Sequence, residues 1–147
     1  VGRRIEMREN KFKIWDKTRN KMLTSNCGAF LLTQEGNAVF HQNGNNPLEA
    51  LIEQIDYEVL MYTGLKDKNG TEIYEGDIIR THENRIQKVI WHNNGFKLEY
   101  KFKRLYRGES YWETRKDIEL SETNNKRWGI KVIGNIYENP ELLKEGE

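Results

Sequence analysis

Cysteine is nearly absent. Cys27 stands alone, so no internal disulfide can form, and the expected compartment is a reducing one, the cytoplasm. Proline occurs only at Pro47 and Pro140. No apolar run approaches the roughly 18 residues of a membrane span, so no membrane partner is expected. The opening residues lack the basic, apolar and small pattern of a signal peptide, and none is expected. Nor is there an excess of charge of one sign: 24 basic and 23 acidic residues leave +1 over 147 residues. That balance argues against a uniformly basic nucleic-acid binder.

Recognisable chemistry is also missing. His82 and His92 lie ten apart, His41 is distant, and one cysteine cannot complete a zinc site. Asp67-Lys68-Asn69-Gly70 has its glycine fourth and Ile78 at the twelfth position, where a calcium loop needs glycine sixth and glutamate twelfth. No glycine-rich phosphate loop occurs, and nothing in the sequence supplies Cys27 with a base. Glu75 and Asp77 could form a carboxylate pair. Gly76-Asp77 reads better as a turn, where glycine permits the reversed backbone and aspartate bonds nearby amides. No catalytic residue, cofactor or metal is therefore expected, and the chain is read as not an enzyme.

What is present is aromatic and β-like. Four Trp, seven Tyr and five Phe stand within a hydrophobic share of only 36%, so the core must rest on a few large rings. Alternation predicts a strand at Lys11 to Trp15, with a return at Lys21 to Thr24. Ala29 to Leu32 and Ala38 to His41 form a hairpin around Gln34 to Asn37. Asn46 and Pro47 cap a helix to about Gln54, its apolar face made by Leu48, Leu51, Ile52 and Ile55. A strand at Tyr57 to Thr63 precedes the Asn69-Gly70 turn. Ile73-Tyr74 and Ile78-Ile79 flank a second turn. Gln87 to Trp91 and Phe96 to Phe102 form a hairpin through His92 to Gly95. Further strands are expected near Ser110 to Trp112, Asp117 to Leu120 and Trp128 to Ile136, with a polar loop at Ser121 to Lys126. Asn139 and Pro140 cap a terminal helical turn. The fold class is all-β, with one or two short helices.

Charge is arranged in blocks. Residues 1–46 carry +4, residues 47–77 carry −6, residues 78–108 carry +6, and residues 109–147 carry −3. Such alternation can be complementary within one fold or between subunits.

Three segments resemble a known family: KFKIWDK at Lys11 to Lys17, MYTGLKDKNGTEIYEGDII at Met61 to Ile79, and VIGNIYENP at Val132 to Pro140. They are similar to the YopX-like proteins of phages and prophages. The resemblance implies an SH3-like or partly open small β-barrel core, a bacterial host, and no catalytic residues to carry over. The stretches Ser25 to Ile55 and Lys103 to Lys126 match it only loosely. On this reading Val1 to Glu6, ahead of Met7, are an N-terminal extension or cloning remnant, and residues 7–147 are a single YopX-like domain.

The expected function is a phage-type accessory protein: a binding or self-assembling β-barrel that contacts an unknown protein partner or a second copy of itself. The alternative is nucleic-acid binding through Lys97, Lys101, Lys103, Arg104 and Arg107, which surround Tyr100, Phe102 and Tyr106. Against that alternative, alternation places Phe96, Leu98, Tyr100 and Phe102 opposite the lysines, and so in the core.

Overall fold

The structure, a computed structural model, describes residues 9–23, 29–41 and 56–146. It is mainly antiparallel β, as expected, and one sheet is curled into a half-barrel. The chain divides into two compact units, residues 12–60 and residues 1–11 with 61–147. The helix expected at Pro47 to Gln54, and also Cys27 and Val1 to Glu6, lie outside the described residues.

In the first of these units, β1 (Phe12–Asp16) pairs with β2 (Lys21–Leu23) in the register Ile14–Leu23 and Asp16–Lys21. Asp16 is fully buried and accepts the Arg19 amide at 2.9 Å, which shapes the turn between the two strands. β3 (Ala29–Leu32) and β4 (Ala38–His41) make the expected separate hairpin. The Tyr57 hydroxyl accepts the Ala38 amide at 2.9 Å.

The other unit contains the buried hydrophobic cluster. β5 (Tyr57–Lys66) enters it at residue 61 and pairs with β6 (Glu72–Tyr74). A five-stranded antiparallel sheet follows, in the order β10-β9-β8-β7-β11. Its strands are β7 (Asp77–Arg80), β8 (Ile86–His92), β9 (Gly95–Tyr106), β10 (Glu109–Glu119) and β11 (Lys131–Asn135). Ile73, Ile79, Val89, Leu98, Leu120 and Ile130 form one buried cluster. A 3-10 helix, Pro140–Gly146, follows β11 where a terminal helical turn was expected.

The signature segments act as fasteners. Asp67 is buried, and its Oδ1 accepts the amides of Asn69 at 2.8 Å and Thr71 at 2.9 Å. Its Oδ2 accepts the Val132 amide at 2.9 Å, from the third signature segment. Those two segments also meet at the next turn. Gly76, at φ +83°, packs under the Tyr137 ring, and its carbonyl accepts the Ile136 amide at 2.9 Å. Asp77 Oδ2 accepts the Tyr74 amide at 2.8 Å. A Cβ on Gly134 would meet Asn139 Oδ1 at 2.6 Å and Leu142 Cδ1 at 2.9 Å, so only glycine fits there.

Three expectations are corrected. Ser121 to Lys126 is not a loop: α1 (Glu122–Trp128) occupies it, with Ser121 Oγ accepting the Asn124 amide and Gly129 closing the helix in the left-handed region. The last strand therefore starts at Lys131 rather than Trp128 and ends at Asn135. The two strands expected near Ser110 and Asp117 are one continuous β10, bulged between Arg115 and Ile118.

Asp67→Ala leaves three amides without their acceptor. It is expected to cost on the order of 3 kcal/mol and to lower the thermal midpoint by about 10 °C. Asp67→Asn, which keeps a carbonyl acceptor, should lose less. Calorimetry of the two variants checks this, and an unchanged midpoint in Asp67→Ala would refute the fastening role.

Candidate functional site

β9 has twelve residues, but β8 pairs with it only from Gly95 to Glu99. Beyond Glu99 its one paired neighbour among the described residues is β10, in the register Tyr100–Arg115 through Tyr106–Glu109. Arg107 and Gly108 close this ribbon with φ +51° and +83°, the left-handed pair of a tight hairpin whose twist suits the strands. Residues 100–106 and 109–115 thus form a two-stranded arm, and the arm outruns the core.

This corrects the expectation for the rings. Alternation does separate rings from lysines, but the buried cluster stops at Leu98. Tyr100 and Phe102 are only half-buried, and their ring centroids lie 5.8 Å apart. Farther along, Leu105 is 74% exposed, Tyr106 60%, and Tyr111 and Trp112 45% each. Four of the five exposed large apolar side chains among the described residues are therefore on this arm.

The register sorts the arm into two faces, because directly paired residues project to the same side. One face continues the core side of the sheet: Tyr100, Phe102, Arg104, Tyr106, Glu109, Tyr111, Glu113 and Arg115. There Arg104 is bonded to Glu113 at 2.8 Å, and Arg115 lies 5.1 Å from the Phe102 ring centre. Glu113 raises the Arg104 guanidinium above its usual acidity range. The other face carries Lys101, Lys103, Leu105, Ser110, Trp112 and Thr114, and no acid. Lys103 Nζ lies 6.0 Å from the Trp112 ring centre.

Of the residues expected to bind nucleic acid, Lys101 and Lys103 share the acid-free face. Lys97 sits at its base, paired with Ile90 and Glu119. Arg104 projects from the opposite face, and Arg107 occupies the turn over Tyr106, 5.3 Å from its ring centre. Sequence reasoning missed Trp112. Its place in the site comes from its pairing with Lys103, which no pattern within one strand shows.

An ion-pair network anchors the arm at its base. Glu99 bonds Lys88 at 2.6 Å and Lys116 at 3.0 Å. Burial pushes the Glu99 carboxyl up, but the two ammonium groups outweigh it and hold the carboxyl below the usual range.

The other charged clusters are structural. Lys11 bonds Glu72 at 2.5 Å and Glu9 at 2.7 Å, and the Tyr74 hydroxyl donates to Glu72 at 2.8 Å. Lys11 and Tyr74 hold the Glu72 carboxyl below its usual range, while burial and Glu72 push the Tyr74 phenol up. Glu75 and Asp77 do not form a cleft pair, since Asp77 is buried and bonded to its own turn. Among the described residues no group of three His, Cys, Asp or Glu could hold a metal ion. No helix among them is long and apolar enough to cross a membrane.

The family model described as "YopX protein" matches residues 11–144. The crystal structure of protein EF1440 from Enterococcus faecalis is similar, with a TM-score of 0.55 and 26% identity. The similarity covers 93% of this chain and 99% of that one. No curated protein matches this chain.

A carboxyl held low in the native state stabilises it above the ordinary glutamate range, and that gain is lost as the pH falls through the native value. Wild type is therefore expected to exceed Glu99→Gln in thermal midpoint at pH 7. The gap should close below about pH 4. A gap that persists at pH 3 would contradict the network's role.

Proposed function

The chain belongs to the YopX family, and for this member we propose a non-enzymatic binding module whose working surface is the β9–β10 arm. The ligand is single-stranded nucleic acid, in the phage or prophage setting that the family resemblance implies. The observation that carries this reading is the acid-free face of the arm, where Lys101 and Lys103 stand beside the exposed ring of Trp112. Single strands offer unstacked bases to such a ring and phosphates to the cations beside it. Duplex DNA offers only phosphates to a ribbon with so few cations, so single strands are preferred.

The opposite face favours a second reading, a protein partner. Tyr106, Tyr111, Arg104 and Arg115 have the composition of protein-binding hot spots.

Fluorescence anisotropy with labelled single-stranded DNA and RNA separates the two. Binding is expected at low salt and should weaken as salt rises. Trp112→Ala should weaken it by about tenfold, the value of one stacked base, and Lys101→Glu with Lys103→Glu should abolish it. Arg104→Ala should leave it within about twofold, because Arg104 faces the other way and is held by Glu113. No binding at low salt, or equal losses for Arg104→Ala and Trp112→Ala, would overturn the nucleic-acid reading. Binding of a purified protein partner lost in Tyr106→Ala with Tyr111→Ala would establish the second.

A further inference from the structure

The outer edge of β10 closes the five-stranded sheet on one side, and among the described residues no strand pairs with it. Seven residues of this edge, Glu109 to Arg115, keep an unbroken register with β9 before the bulge. A tight two-residue turn closes on a hydrogen-bonded pair, here Tyr106–Glu109, and the pattern then alternates. Tyr111, Glu113 and Arg115 therefore exchange bonds with β9. Ser110, Trp112 and Thr114 direct their N–H and C=O groups outward, along an edge open to another strand.

We propose that this edge pairs with the same edge of a second copy, antiparallel, across a two-fold axis at Trp112. The side chains select both the occupant and the register. Centred on Trp112, the pairing sets Glu109 opposite Arg115 twice and Ser110 opposite Thr114 twice, and brings all outward groups into hydrogen-bonded pairs. Centred on Tyr111, it would set Glu109 against Glu113. Centred on Glu113, it would set that residue against its own copy. Centred on Thr114, it runs into the bulge after Arg115. The two Trp112 rings then lie side by side between the two Lys103 ammonium groups. The bulge ends the paired edge, as bulges on exposed strands commonly do. The proposal does not rest on the nucleic-acid reading, and either can fail alone.

Sedimentation velocity over a concentration series tests it. The wild-type chain is expected to reach a dimer. Thr114→Pro removes one outward N–H and none of the bonds to β9, so it should shift the protein to monomer with an unchanged circular dichroism spectrum. Arg115→Glu alone sets two glutamates against each other and should also give monomer. Adding Glu109→Arg to Arg115→Glu restores the opposite charges and should restore the dimer, which a general loss of stability in the arm would not do. A wild-type monomer at every concentration, or a dimer that survives both single variants, would overturn the proposal. Oligonucleotide anisotropy on the same single variants keeps the two readings apart. Retained binding by a monomer leaves the nucleic-acid reading in place, and a dimer that binds no oligonucleotide removes that reading alone.

Discussion

One buried carboxylate holds together parts of the chain that are more than sixty residues apart. Asp67 accepts two amides from its own turn and a third from Val132. Around it the Lys68 amide donates to the Ile130 carbonyl, and the Asn125 side chain donates to the Lys66 carbonyl at 2.6 Å. The turn after β5, the helix α1 and the strand β11 are thereby fixed to a common point. Buried charge is tolerated there because hydrogen bonds surround it. The hydrophobic cluster of Ile73, Ile79 and Ile130 packs within the frame these bonds set.

That arrangement explains why so much of the fold was legible in the sequence. Asp67, Gly70, Gly76 and Asp77 each have a backbone task, and turn chemistry announces such tasks locally. The hairpin between β8 and β9 was equally readable, and its left-handed residues are Asn93 and Asn94. The helix α1 was not readable, because its residues, Glu122 to Trp128, hold one apolar side chain and so show no apolar period. It is held by its caps at Ser121 and Gly129 and by the long-range bond from Asn125, and only the first of these supports is local.

The candidate site was legible in composition but not in placement. The sequence shows a basic, aromatic stretch and assigns its rings correctly to one face. It does not show how far the neighbouring strands extend, and that decides whether a ring is core or surface. Phe96 packs on the core while Phe102, six residues along the same face, does not, because the pairing of β9 with β8 has ended. Trp112 entered the site through cross-strand pairing with Lys103, a relation between chain positions that periodicity in one strand cannot supply.

An arm that leaves the core also separates two kinds of mutational risk. Substitutions in the turns around Asp67, Gly76 and Gly134 strike bonds on which the whole unit stands, and a marginally stable protein tolerates few of them. Substitutions from Tyr100 to Arg115 touch little of the buried cluster, so their stability cost is small. The arm's side chains can thus change while the frame stays still. This geometry makes the arm the part of the molecule most open to rapid evolutionary change.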